Sequence, residues 1–426
     1  MSQTVQAAPD ESRQTVVRPG WKTPIVLVVF ALVAFVFFGL LGDSGRTSTF
    51  RVSTSADAWQ IEPLALSSRP VALALSALCL AIAVYAIALV RRGQQVPLSL
   101  TVMFGVAFVL AFLVWAVAGE QISLTSLLQG ALALSVPLVF GAMSGLLCER
   151  SGVINIAIEG QLLAGAFLSA VVASLTGSVV AGLVAAVVAG LLVAFVLATF
   201  AIKYIVNQII VGVVLNVLVL GVTNFFYSQL LAPESATWNS PDTLSRVRIP
   251  LLSEIPVLGP VMFNQTVIVY IMYITVIGIQ VSLFRSRWGL RVRSVGEHPE
   301  AADTLGIDVN RTRFRNVLLG GMVAGFGGAF FTLGNVGSFS QDMSAGQGFI
   351  ALAAMIFGRW NPIGALGAAL LFGFANNLQS VLGIIGTPIP GEFMLMLPYV
   401  LTIFAVAGLV GRVRAPAADG RPYVKS

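Results

Sequence analysis

Glu159 is the residue of this chain whose chemistry most needs an account. It lies in Val153–Leu175, a run of apolar and small residues long enough to cross a bilayer, and Asn155 stands four positions before it. In a helix that spacing puts both side chains on one face. A carboxylate inside a membrane helix costs about 2.5–3.5 kcal/mol on an insertion scale, so it requires a partner, a wet cavity or a task. This stretch is expected to begin a helix lining a transport path. Asn207, Asn216, Asn224, Asn376 and Asn377 recur inside other apolar runs and are the further path candidates. A carboxamide both donates and accepts, which suits a neutral solute rich in hydroxyl and ring-nitrogen groups. Two uses compete: for the amides, hydrogen bonding between helices at about 0.6–2 kcal/mol each; for Glu159, an ion pair with an arginine such as Arg150. Phe225, Phe226 and Tyr227 offer rings that stack on a base or simply pack.

The elements that must position these residues are membrane helices. The 426-residue chain is 57% hydrophobic and 10% charged, against about 25% charged for a soluble domain. Apolar runs of about 17–25 residues recur along it, each able to span as a helix, whereas a membrane barrel would show short alternating segments. The fold class expected is an all-α polytopic membrane protein of about 10–12 transmembrane helices. One is short or broken: Phe349–Gly358 is too brief to cross alone and ends at Arg359-Trp360-Asn361-Pro362. Half-helices of this kind, buried in protein, line binding sites in transporters. A weak internal echo pairs residues 134–167 with 349–374. The chain divides into an N-terminal tail (1–24), N-terminal helices (25–120), a core (121–411) holding the charged loop 285–315, and a C-terminal tail (412–426).

The net charge of +6 reflects arginines at the ends of apolar runs, the positive-inside pattern, and not a nucleic-acid surface. Loop 285–315 holds seven arginines against four acids, which places it in the cytoplasm, and alternation then puts both termini there. Within it Pro299 suits a first helical turn, Glu300 and Asp303 complement its positive end, and Gly306 suits a C′ position. The loop therefore presents a short exposed helix, either a solvated connector or a docking knob.

Other chemistry is thin. A single histidine, His298, excludes a histidine metal cluster, and no metal or catalytic site is expected. Cys79 and Cys148 fall in apolar runs, which disfavours a disulfide framework. The three lysines, Lys22, Lys203 and Lys425, do not follow a glycine, so a standard Walker A loop is absent. If ATP drives transport, another subunit binds it.

Two stretches carry a family resemblance. ERSGVINIAIEGQLLAGAF (149–167) resembles the signature of nucleoside-type permeases in the branched-chain amino acid/ribose/nucleoside group of ABC importers. SVGEHPEAADTLGIDVNRTRF (294–314) resembles the EAA loop of such permeases, whose coupling helix enters a cleft of the ATPase. The resemblance covers roughly 124–410 and implies a type II importer-like permease fold. It implies ATPase-coupling roles for Glu300, Ala301, Ala302 and Gly306, and no cofactor on this chain, with ATP and Mg on partner subunits. The expected partners are a second permease, identical or homologous, two cytoplasmic ATPases, a substrate-binding lipoprotein and membrane lipid. The expected location is a bacterial inner membrane, and the function import of a nucleoside or similar small polar solute by alternating access. A simple-sugar permease is the alternative, followed by an ion-coupled secondary transporter, for which Glu159 alone is slender support.

Overall fold

Apolar composition at helical length makes most of the chain helical. The structure, a computed structural model, describes residues 20–53, 59–385, 396 and 414–425. The expected last span, Phe393–Val410, and most of the N-terminal tail lie outside the described residues. Ten helices among the described residues are long and apolar enough to cross a membrane. Three, α1 (Lys22–Leu40), α2 (Ser68–Arg91) and α3 (Leu98–Ala116), belong to one unit of the chain. Inside it Phe38 packs edge-on against Phe108 and Phe112, and the Ser76 hydroxyl donates to the Ala34 carbonyl.

The second unit begins with strand Thr47–Arg51, paired in parallel with Gln121–Ser123, and contains the other seven spans. These are α4 (Leu124–Glu149), α5 (Ile158–Thr176), α6 (Val179–Lys203) and α7 (Gln208–Leu231), and later α10 (Val267–Arg285), α13 (Val309–Val336) and α15 (Pro362–Ile385). Between α7 and α10 lie the short helices α8 (Ser235–Trp238) and α9 (Leu258–Phe263) and a hairpin-like pairing of Arg246–Arg248 with Asn264–Thr266. The loop after α10 folds as α11 (Arg287–Glu297) and α12 (Pro299–Thr304). The short apolar segment is α14 (Gln347–Phe357). Its 11 residues reach about 16 Å at 1.5 Å per residue, half of a hydrocarbon core of about 30 Å.

Helix α4 is the hub. Nearly nine-tenths of its apolar window is buried, and α13, α14 and α15 pack on it. Helix α13 also lies against α5 and α6, and its glycines make that possible. A Cβ added to Gly325 would strike the Ala186 carbonyl and the Gly190 backbone of α6, and one added to Gly165 would strike the Gly325 carbonyl. Gly320, Gly321, Gly325, Gly327 and Gly328 thus serve close helix packing, the arrangement small residues permit in membranes. Gly367 on α15 has open space around it. Gly325→Leu is accordingly expected to cost at least about 1–3 kcal/mol through overpacking, and Gly367→Leu almost nothing. Thermal unfolding of the two detergent-purified variants, followed by size-exclusion fluorescence, checks the contrast.

Candidate functional site: a half-helix and its clamp

The helix containing Glu159 starts later than its apolar pattern suggests. Residues 151–157 are not helical, and α5 opens at Ile158. Gly152 turns the chain at φ +90°. The Ile154 N–H donates to Gln208 Oε1 and the Ile156 carbonyl accepts from Asn216 Nδ2. Those side chains supply the partners that a helix would have supplied from its own backbone. Asn155 and Glu159 therefore do not share a helical face, which corrects the spacing argument.

Each acquires a separate task. Asn155 is fully buried, and its Nδ2 donates to Ser144 Oγ on α4 and to Gln161 Oε1 on α5, at 3.2 and 3.1 Å. Glu159 reaches the start of α14. Its Oε1 accepts from the Ser344 hydroxyl at 2.6 Å and the Gly346 N–H at 2.8 Å, and its Oε2 accepts from the Gly348 N–H at 2.6 Å. These are charge-assisted bonds to the positive end of a helix. At about 1.5–3 kcal/mol for a bond to a charged group, three such bonds are enough to offset the cost of holding the carboxylate at this depth. Gly348 is required by the approach, since a Cβ there would meet the Glu159 backbone and carboxylate.

The other end of α14 is held from the same stretch. Between α14 and α15 both Arg359 and Trp360 have positive φ, 57° and 51°. The Trp360 indole N–H donates to Glu149 Oε2 at 2.6 Å, and the Trp360 carbonyl accepts from Arg150 Nε and Nη2 at 2.9 and 2.6 Å. Residues 149–159 thus clamp the half-helix at its entry and at its exit. Arg150 does not pair with Glu159.

The remaining path candidates fall as follows. Asn207 caps α7, accepting from the Ile209 and Ile210 N–H groups. Asn216 holds the α5 entrance through Ile156 and the Gly160 N–H. Asn377 donates to the Leu127 carbonyl of α4. Asn376 is half-buried, its carbonyl accepting from Ser380. Asn224 keeps a buried Oδ1 with no partner among the described residues. Phe226 packs on Phe167, and Tyr227 on Phe339.

The charged loop forms a platform. Helix α12 follows His298, and Gly306 behind it has φ +78°. Glu300, Ala301 and Gly306 are exposed, and Leu305 is 80% exposed. Ala302 points inward, buried with Val295 and Val309 against Ile307 and Tyr423. The platform rests on the clamp. The Gly296 backbone meets the Arg150 carbonyl so closely that a Cβ would not fit. Arg150 and Arg293 each lie over the Phe284 ring, at 5.4 and 5.2 Å.

One component carried no sequence signal. Residues 414–425 run along the platform. The Ala418 N–H donates to the Gly296 carbonyl, the Ala417 N–H to Glu297 Oε2, and Arg313 Nη1 to the Arg421 carbonyl. Lys425 pairs with Asp303 at 3.7 Å. Asp419 is hydrogen-bonded to Glu149, an arrangement that two carboxyl groups hold by sharing a proton. A polar, alanine-rich tail has no periodicity that would announce this docking.

The sequence matches the family described as branched-chain amino acid transport system / permease component over residues 127–406. The chain belongs to that family. It is 40% identical over 311 residues to the guanosine ABC transporter permease protein NupQ of Bacillus subtilis, covering 71% of this chain and 97% of the relative. It is 41% identical over 306 residues to the nucleoside ABC transporter permease protein NupC of Lactococcus lactis, covering 68% and 94%. The glucose ABC transporter permease protein TsgB13 of Haloferax volcanii matches at 29% over 266 residues, 59% and 68% of the two chains. No solved structure matches. The match begins after α3, so the clamp, the half-helix and the platform all lie in the family region and α1–α3 precede it. The permease is a multi-pass membrane subunit of an ABC transporter.

Burial pushes the Asp419 carboxyl from its ordinary 3.8 up to about 7, against smaller opposing effects of the Glu149 hydrogen bond, the Gly420 N–H and Arg313. A carboxyl whose docked pKa is raised contributes stability fully present below pH 3.8 and lost as pH rises through about 7. Proteolysis of the tail is therefore expected to quicken as pH rises from 3.8 towards about 7 and to level off above it, and Asp419→Asn to weaken that dependence. Limited digestion across the range, read by mass spectrometry, checks both.

Proposed function

We propose that this permease imports nucleosides into a bacterial cell through the cytoplasmic membrane, driven by ATP hydrolysis on separate subunits. The reading rests first on the relatives named for guanosine and nucleoside transport, which share 40% and 41% identity along nearly their whole length. ATP and Mg belong to two ATPase subunits, a second permease completes the pathway, and an extracytoplasmic lipoprotein delivers solute. Loop 285–315 and both termini face the cytoplasm, following the arginine excess.

The observation that carries the mechanism is the stacking of platform on clamp. The face formed by Glu300, Ala301, Leu305 and Gly306 is exposed at the end of a helix whose other face, through Ala302, is buried. Displacement of α11–α12 by an ATPase would bear on Arg150 through Gly296 and Phe284, and from Arg150 on Trp360 and the half-helix. Alternating access then follows from moving α14 with its two anchors. Asn224, on α7 with a buried acceptor unpaired among the described residues, and Asn376, half-buried on α15, are the path candidates left to meet solute. The other candidates hold the pathway's walls.

Uptake of labelled guanosine into vesicles carrying this permease with its ATPases tests the reading. ATP-dependent uptake competed by unlabelled nucleosides is expected. Competition by glucose instead would overturn the substrate, and uptake following a proton or sodium gradient without the ATPases would overturn the mechanism. Gly306→Val is expected to abolish uptake, because a β-branched residue resists φ +78°, while membrane insertion and nucleoside binding persist. Normal uptake in that variant would remove the docking role.

A further inference from the structure

A groove of about 430 Å³ opens beside the platform, lined by Ile202 and Lys203 at the end of α6, Ile205 just beyond it, Arg311 and Phe314 of α13, and the tail's Tyr423 and Lys425. Its charge is one-sided. Two cations, Lys203 and Arg311, stand in it without a carboxylate in ion-pair contact among the described residues, while Lys425 spans to Asp303 at 3.7 Å. The nearest acid in sequence, Asp308, accepts the Arg311 backbone N–H as the cap of α13. That helix start adds its own positive end. Ile205 is held at φ +58°, an outlier for a β-branched residue, and it turns the chain so that Lys203 and Ile205 both line the groove.

The groove also lies at the end of an apolar track. Leu192, Phe195 and Phe200 on α6 are exposed, and Phe195 meets Phe314 of α13 edge-on at 5.9 Å. Lys203 ends a 25-residue apolar span, so the cations stand at the depth of lipid headgroups and the track at the depth of acyl chains. A soluble anion would use the cations and leave the track bare.

We propose that this groove binds the headgroup of an anionic phospholipid of the cytoplasmic leaflet, with its phosphate on Lys203 and Arg311 and an acyl chain along Phe195 and Phe314. The site depends on the inward orientation proposed above, but its readout is lipid binding and not transport, so either can fail alone. Basic pockets between membrane helices on this side of a bilayer recognise anionic headgroups, at roughly 1 kcal/mol per cation.

The experiment uses the full-length permease in phosphatidylcholine nanodiscs doped with brominated phosphatidylglycerol. Bound lipid is counted by native mass spectrometry after release into detergent. Wild type is expected to retain phosphatidylglycerol over phosphatidylcholine. The K203Q/R311Q variant is expected to bind it about thirtyfold more weakly, and K22Q, which removes a cation of the other unit, to bind as wild type. Tyr423 and Lys425 remain in place, so normal thermal unfolding of the double variant separates lost binding from lost folding. Unchanged phosphatidylglycerol retention in the double variant would overturn the site, as would equal retention of phosphatidylcholine. Competition by inorganic phosphate would reassign the groove to a soluble anion. Loss of ATPase association with lipid retention intact would reassign it to the protein partner.

Discussion

The Glu159 carboxylate meeting the first N–H groups of a half-helix is the contact on which the rest of the permease core depends. An 11-residue helix too short to cross alone begins with donors that lipid cannot satisfy; the preceding turn takes the Gln347 N–H through the Ser344 carbonyl, and Glu159 takes those of Gly346 and Gly348. Uncapped, those donors and an isolated carboxylate each cost several kcal/mol. Placed together they cancel one another's cost, and the Ser344 hydroxyl completes the arrangement. The small residues follow from it, since Gly348 must lack a side chain for Glu159 to arrive.

From that anchor the core reads as one mechanical sequence. Eleven residues from Glu149 to Glu159 reach both ends of α14, by carboxylate at its start and by Glu149 and Arg150 at Trp360 beyond its end. The backbone of α11 lies on Arg150, and α12 projects from α11 with its exposed face outward. The tail seals the far side, placing Asp419 on Glu149. Charged groups are few in this chain and most of those near the core are spent on these joints, which is what an apolar protein does when a defined geometry must be kept at membrane depth.

Much of the architecture was legible in the sequence, because hydrophobic length reports membrane helices directly and glycine and proline mark their ends. The half-helix was visible as a short apolar run, and α12 was visible through Pro299, Glu300 and Gly306. The importance of 149–161 was legible too, but not its geometry. Periodicity assumed that a helix began at Val153, whereas Gln208 and Asn216, distant in sequence, supply the bonds that keep residues 151–157 out of a helix. Side-chain amides look alike in sequence whether they face a solute or a neighbouring backbone. Asn155, Asn207, Asn216 and Asn377 all bond within the protein. The docking of 414–425 was invisible because most of its contacts use backbone groups, joined by scattered side chains such as Lys425 and Asp419 that follow no periodicity.

The most direct test of the clamp is hydrogen exchange at the Gly346 and Gly348 amides in wild type and in Glu159→Ala. Losing two charge-assisted bonds worth about 3 kcal/mol in all is expected to speed exchange at both amides about a hundredfold, with the amides of α4 unchanged. Equal exchange in the two proteins would show that the half-helix is held by packing alone, and would contradict the account of residues 149–159 as its clamp.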